Sequence, residues 1–188
     1  MLNTKRGVFS VVIIFIVLSC SGVEKRQDKP LKKVSINMVT HGQATDPFWS
    51  VVSNGAKDAA KELGIDFYYQ SPQNFDMITM SQIIDAVVST NPDGIIVSVP
   101  DVAALKKSIL AASKKNIPII VINAGSEIME EIDILTYVGQ SEYEAGMKAA
   151  KELIKYNITT ALCVNHEIGN ISLDKREQGF RKVLKENN

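Results

Sequence analysis

The chain has 188 residues, with 21 basic and 21 acidic side chains for a formal net charge of zero. That balance, with no clustered basic face, argues against a nucleic-acid surface. Two cysteines and two histidines leave little material for a disulfide framework or a zinc site.

Lys5 and Arg6 precede an apolar stretch from Val8 to Leu18, broken only by Ser10, and VLSC follows. Such a run is shorter than the ~20 residues a stable membrane-crossing helix needs, so residues 1–20 read as an export signal. Its end resembles a bacterial lipobox, which makes Cys20 the expected lipidation site, with Val17 a mild departure from the usual leucine. Ser21 to Pro30 is polar and charged, so residues 21–32 read as a tether above a membrane. Removal of Lys5 and Arg6 with the signal leaves a small acidic excess.

Val34 to Val39 alternates apolar and polar residues as the first strand. A polar loop follows, and then a helix whose small-residue stripe runs through Gly55, Ala56, Ala59 and Ala60 and stops at Gly64. The loop delivers Asp46, Phe48 and Trp49 to one mouth. A carboxylate accepts paired hydroxyls and flat rings cover C–H faces, which is what a sugar-sized ligand needs. The same residues also suit a helix cap and its packing.

Strand and helix then alternate: strand Ile65–Tyr69, helix Met77–Thr90, strand Ile95–Val99, helix to Lys115, strand Ile117–Ile122. In the turn Asn91 to Gly94, glycine is expected to take the left-handed position. After the break at Asn123, Ala124 and Gly125 come a strand Ile134–Val138, a helix from about Glu142 to Tyr156, a strand Thr159–Val164 and a helix from about Ser172 to Lys185. Uninterrupted alternation of this kind predicts an α/β fold with a doubly wound parallel sheet. Cys163 is expected to be buried in its strand and inert.

DPFW followed by GAKDAAKELG, then NPDGIIVSVPD, NIPIIVINAG, YVGQSEYEAG and KREQGF, resembles in order the type I periplasmic sugar-binding proteins, the ribose- and galactose-type solute receptors of ABC transporters. The resemblance covers Lys33 to the last residue. It implies an N-terminal lobe at 33–123, a hinge at Asn123 to Gly125, and a partial C-terminal lobe at 124–188. On that reading the second lobe is incomplete and the chain is truncated, which weakens or abolishes binding.

The resemblance places Asp46, Phe48 and Trp49 on the ligand, Ser98 and Asn123 at strand ends facing it, and Arg176 on its hydroxyls from the second lobe. His41, Gln140 and Asn170 join the same candidate cleft. Asn123 and Ala124 stand where relatives often carry Asp and Arg, so the charged bidentate grip is missing; asparagine still donates and accepts, which is compatible with a neutral polyol, and the departure counts against the ribose and galactose assignments.

Neither a metal nor a cofactor is expected. Pairing His41 and His166 with Asp46 or Glu167 matches no zinc spacing, and Cys163 with His166 at i+3 on a strand would face opposite sides. No phosphate loop, dinucleotide fingerprint or nucleophile arrangement points to an enzyme. The expected role is an exported, lipid-anchored receptor at the outer face of the bacterial cell membrane or in the periplasm, passing a small sugar to an ABC permease. The alternative is a membrane-tethered sensory or interaction module on the same fold.

Overall fold

In a computed structural model the described residues are 32–43 and 45–187. The export signal, Cys20 and nearly all of the tether lie outside them. Five strands, β1 (Ser35–Val39), β2 (Asp66–Gln70), β3 (Gly94–Val97), β4 (Ile119–Asn123) and β5 (Thr136–Gly139), make one parallel sheet in the order β2-β1-β3-β4-β5. The crossovers are α1 (Pro47–Leu63), α2 (Met77–Ser89) and α3 (Val102–Lys114), with a 3-10 turn at Ser126–Glu130 before β5. Two further helices, α4 (Glu142–Ile154) and α5 (Ile171–Glu186), follow the sheet.

Local chemistry sets the helix starts. Asp46, Asp76, Asp101, Ser141 and Asn170 each accept a backbone N–H of the first turn of α1 to α5 in turn, filling donors the helix itself leaves unpaired. The main core lies between one sheet face and α2 with α3, where Val39, Val97 and Val121 meet Met80, Ile84, Leu105 and Ile109, all fully buried. Near-continuous apolar strands are required here because helices cover the sheet.

The turn after α2 departs from expectation. Asn91, not Gly94, takes the left-handed conformation, at φ 50°. Asparagine tolerates that region, and Gly94 instead starts β3, where an added Cβ would lie 2.9 Å from Ile36 Cδ1.

Two larger differences concern the second half. β5, expected beyond a hinge at Asn123 to Gly125, pairs with β4 from Ile120↔Thr136 to Asn123↔Gly139. The chain therefore leaves the sheet after Gly139. The expected strand Thr159–Val164 is not formed: the segment has no ladder partner among the described residues, and Leu162 is 87% exposed. A strand is completed by its neighbour, so β-branched composition alone does not make one. Cys163 is correspondingly exposed, contrary to the expectation of a buried thiol.

Helices α4 and α5 pack on each other through glycines. A Cβ on Gly146 would come 1.9 Å from the Arg176 carbonyl oxygen, and one on Gly179 would come 2.0 Å from that of Tyr143. The pair meets the sheet rim where Ile171 N donates to Pro100 O at 3.0 Å and Lys175 pairs with Glu127.

At that rim His41, immediately after β1 and Thr40, is only 4% exposed. Burial holds its ring well below the ordinary 6.5, at about 4, against the opposing attraction of Glu167. The ring therefore stays neutral at pH 7.

Two outcomes follow from this packing. Gly146→Ala gains up to about 1 kcal/mol of helix propensity, but forcing two backbones apart costs about 1–3 kcal/mol. The net expectation is a lower urea midpoint, and an unchanged or raised midpoint would contradict the close approach. For His41, the unfolded chain takes up a proton near pH 6.5 that the folded ring refuses until about pH 4. Stability present above 6.5 is thus lost through that window, by roughly 3 kcal/mol in all. Urea melts of wild type and His41→Gln across the window check this, the variant being expected to lack that component of the slope.

Candidate functional site

The strand order reverses direction between β2-β1 and β3-β4-β5, and loops leaving the carboxyl ends of such strands open a crevice. A cavity of about 560 Å³ lies there. One wall comes from the sheet loops, with Asp46, Phe48, Trp49, Phe75 and Asn123. The other comes from α4, α5 and the loop before α5, with Glu142, Glu167, Asn170 and Arg176.

Asp46 acts as the cap of α1, its Oδ1 accepting Phe48 N at 2.8 Å and Trp49 N at 3.3 Å. It is exposed and lines the cavity at the same time, so capping and facing a ligand are compatible. Phe48 is 54% exposed and Trp49 only 5%, the two rings meeting edge to face with centroids 5.1 Å apart. Trp49 also lies over Gly42, where a Cβ would fall 1.8 Å from its Nε1, so no larger residue fits beneath the indole. Phe48 is the ring open to a ligand. Trp49 mainly builds the wall.

His41 lines the cavity with its ring edge-on to Trp49 and Phe75, at 5.1 and 5.9 Å between centroids. Ser98 is fully buried and outside the cavity lining. Its Oγ accepts the His41 backbone N–H at 2.9 Å and is 2.8 Å from His41 Nδ1. Asn123 lines the cavity in a left-handed conformation, φ 62°, and its carbonyl accepts the Tyr137 hydroxyl at 2.6 Å.

Arg176 is present, but its Nε donates to Glu142 Oε2, so part of the guanidinium is already engaged. Gln140 lies outside this cavity, lining adjoining pockets, and its Nε2 donates to Glu142 Oε1 at 3.1 Å. Asn170 lines the cavity, accepts Ser172 N as the cap of α5, and donates through Nδ2 to Glu167 Oε2 at 2.7 Å.

Glu142 and Phe75 were not among the sequence candidates, and Glu167 entered only as a rejected metal ligand. Glu142 reads in sequence as an ordinary first-turn acid. The available signal for Glu167 is its place between His166 and Asn170, a polar cluster where a strand was expected to end. Counted by charge, Asp46, Glu142 and Glu167 oppose Arg176, with His41 neutral. Carboxylates, amides and an open ring can accept and donate to hydroxyls while excluding an anion. Among the described residues no group of three or more His, Cys, Asp or Glu side chains is arranged to hold a metal, and no helix is long and apolar enough to cross a membrane.

A family described as periplasmic binding protein domain matches residues 36–188. Solved structures agree. The periplasmic sugar-binding protein of an ABC sugar transporter from Legionella pneumophila is 30% identical, with a TM-score of 0.79 over 82% of this chain and 57% of that one. A carbohydrate transporter from Acidothermus cellulolyticus 11B, solved in complex with myo-inositol, is 32% identical with a TM-score of 0.77 over 81% and 53%. A XylFII–LytSN complex matches at 27% identity and a TM-score of 0.71 over 83% and 56%. Among curated proteins none matches. The chain spans little more than half the length of these relatives. It belongs to the periplasmic binding protein domain family, and its wound parallel sheet is the type I fold of that family.

Proposed function

We propose that this protein is the solute receptor of an ABC importer for a small neutral carbohydrate or cyclic polyol. The carrying observation is the two-sided cavity, in which Asp46, Phe48 and Asn123 from the sheet rim face Glu167, Asn170 and Arg176. Hydroxyls alternate donors and acceptors around a ring, and this lining supplies both from opposite sides. A relative described as a sugar-binding protein and another described as a carbohydrate transporter, solved with myo-inositol, support the ligand class.

Export follows the same reading: residues 1–20 direct secretion, Cys20 carries the lipid, and the receptor works outside the membrane beside its permease. Binding without covalent chemistry then draws on closure of the two walls over the ligand. Contacts from the second wall come only from α4, α5 and the preceding loop among the described residues. Affinity is therefore expected to be weak, with Kd in the range of ~0.1–1 mM.

A second reading, a membrane-tethered sensory or interaction module on the same fold, is favoured in its interaction form by the similarity to XylFII, which was solved in a complex with LytSN. Co-purification from membranes distinguishes the roles: recovery of a permease supports import, and recovery of a sensor ectodomain supports signalling.

Ligand-observed NMR titration of residues 21–188 with myo-inositol, D-glucose, L-arabinose and D-glucuronate tests the ligand class. Saturable binding of at least one neutral compound is expected, with the uronate at least ~10-fold weaker because of the carboxylate excess. Absence of binding by every neutral compound would refute the carbohydrate reading, and preference for glucuronate would refute the charge argument.

A further inference from the structure

His41, which lines the cavity, and Ser98, which lies behind it, are both buried, and they are tied together by two contacts at 2.9 and 2.8 Å. Serine has one hydroxyl hydrogen. With Ser98 Oγ already accepting the His41 backbone N–H, its hydrogen has His41 Nδ1 as the acceptor within reach. With Nδ1 accepting that hydrogen, a neutral imidazole carries its own on Nε2. That nitrogen lies 3.7 Å from Glu167 Oε2, across the junction between the sheet rim and the loop before α5.

Glu167 is held from its own side as well, by Asn170 Nδ2 at 2.7 Å on the same oxygen. Its other oxygen, Oε1, has His166 Nε2 at 3.9 Å, too long for a hydrogen bond. Oε2 is thus anchored by Asn170 from its own wall and faced by His41 Nε2 across the junction at more than hydrogen-bond length, while Oε1 retains acceptor capacity in the cavity. Resting on the carbohydrate reading above, we propose that Glu167 is the principal hydroxyl acceptor of the cleft, that His41 is a positioning residue whose Nε2–H dipole, facing Oε2 across the junction, orients it electrostatically, and that Ser98 sets the tautomer His41 needs.

The arrangement has a consequence for specificity. A carboxylate oxygen presented at a fixed angle accepts from two adjacent hydroxyls, so cyclic ligands carrying a vicinal diol are preferred over the corresponding deoxy compounds. Burial of the imidazole, which keeps it neutral, preserves the N–H as a dipole instead of a charge, so no ion pair with His41 competes with the ligand for the Glu167 carboxylate. The groups that face His41 are Glu167 and His166 from the opposite wall and Trp49 and Phe75 from the sheet side.

Two measurements on the full mature chain test this. Long-range proton–nitrogen NMR at neutral pH reads the tautomer without any ligand: wild type is expected to show His41 protonated at Nε2, with an Nδ1–H fraction emerging in Ser98→Ala. Protonation at Nδ1 in wild type overturns the positioning half. Titration with myo-inositol reads the binding half. Glu167→Gln is expected to weaken binding ~10-fold or more, His41→Phe by less, and the double variant no further than Glu167→Gln alone, because His41 acts through that carboxylate. His41→Gln, which keeps an N–H donor and guards against a misfolded aromatic variant, stays within about threefold of wild type. Unchanged binding by Glu167→Gln, or losses that multiply in the double variant, overturns the proposal while leaving the carbohydrate reading intact. If wild type binds no polyol, the carbohydrate reading and the role of Glu167 fall together, and the tautomer measurement still decides the link between Ser98 and His41.

Discussion

Parallel strands cannot be joined by a tight turn, so each connection must cross a face of the sheet and every strand must end at the same edge. This constraint governs the molecule. Residues that together span more than eighty positions, His41 after β1, Ser98 after β3 and Asn123 at the end of β4, arrive at one rim because β1, β3 and β4 are adjacent and point the same way. The apolar strands that satisfy the ladder also build the core against α2 and α3, which makes that rim a rigid platform.

Upon this platform the polar groups divide their labour. Asp46 and Asn170 each cap a helix with one atom while lining the cavity, which places helix starts and site walls under the same hydrogen bonds. Gly42 makes room for Trp49, and Trp49 in turn flanks the His41 ring. On the other wall, the glycine-mediated approach of α4 and α5 brings Arg176 onto Glu142. The cavity is consequently charged unevenly, with carboxylates in excess of the guanidinium, and the physics of the lining favours hydroxyls over anions.

Much of the sheet was legible from sequence because burial on both faces forces apolar runs, and each expected strand through β5 lies within about two residues of the observed one. Asp46 ahead of α1 suited a helix cap for a local reason, a side-chain oxygen reaching N–H groups two or three residues on. Cys163 and its neighbours show the opposite case. Ile158 to Val164 has strand-like composition, but strand character depends on a partner elsewhere, and the segment is open and unpaired among the described residues. That β5 joins β4 was likewise not legible, since the pairing depends on ladder hydrogen bonds that leave no mark in either strand.

Local pattern therefore determined the α/β alternation, the helix caps and the acid-and-aromatic loop at Asp46, Phe48 and Trp49, because each depends on residues within a few positions of one another. Only the tertiary structure decided that Trp49 is wall and Phe48 is surface, that Ser98 serves His41, and that Glu142 and Glu167 stand in the cleft. Those assignments are distances across separate segments, and a distance of that kind exists only once the sheet has brought the segments together.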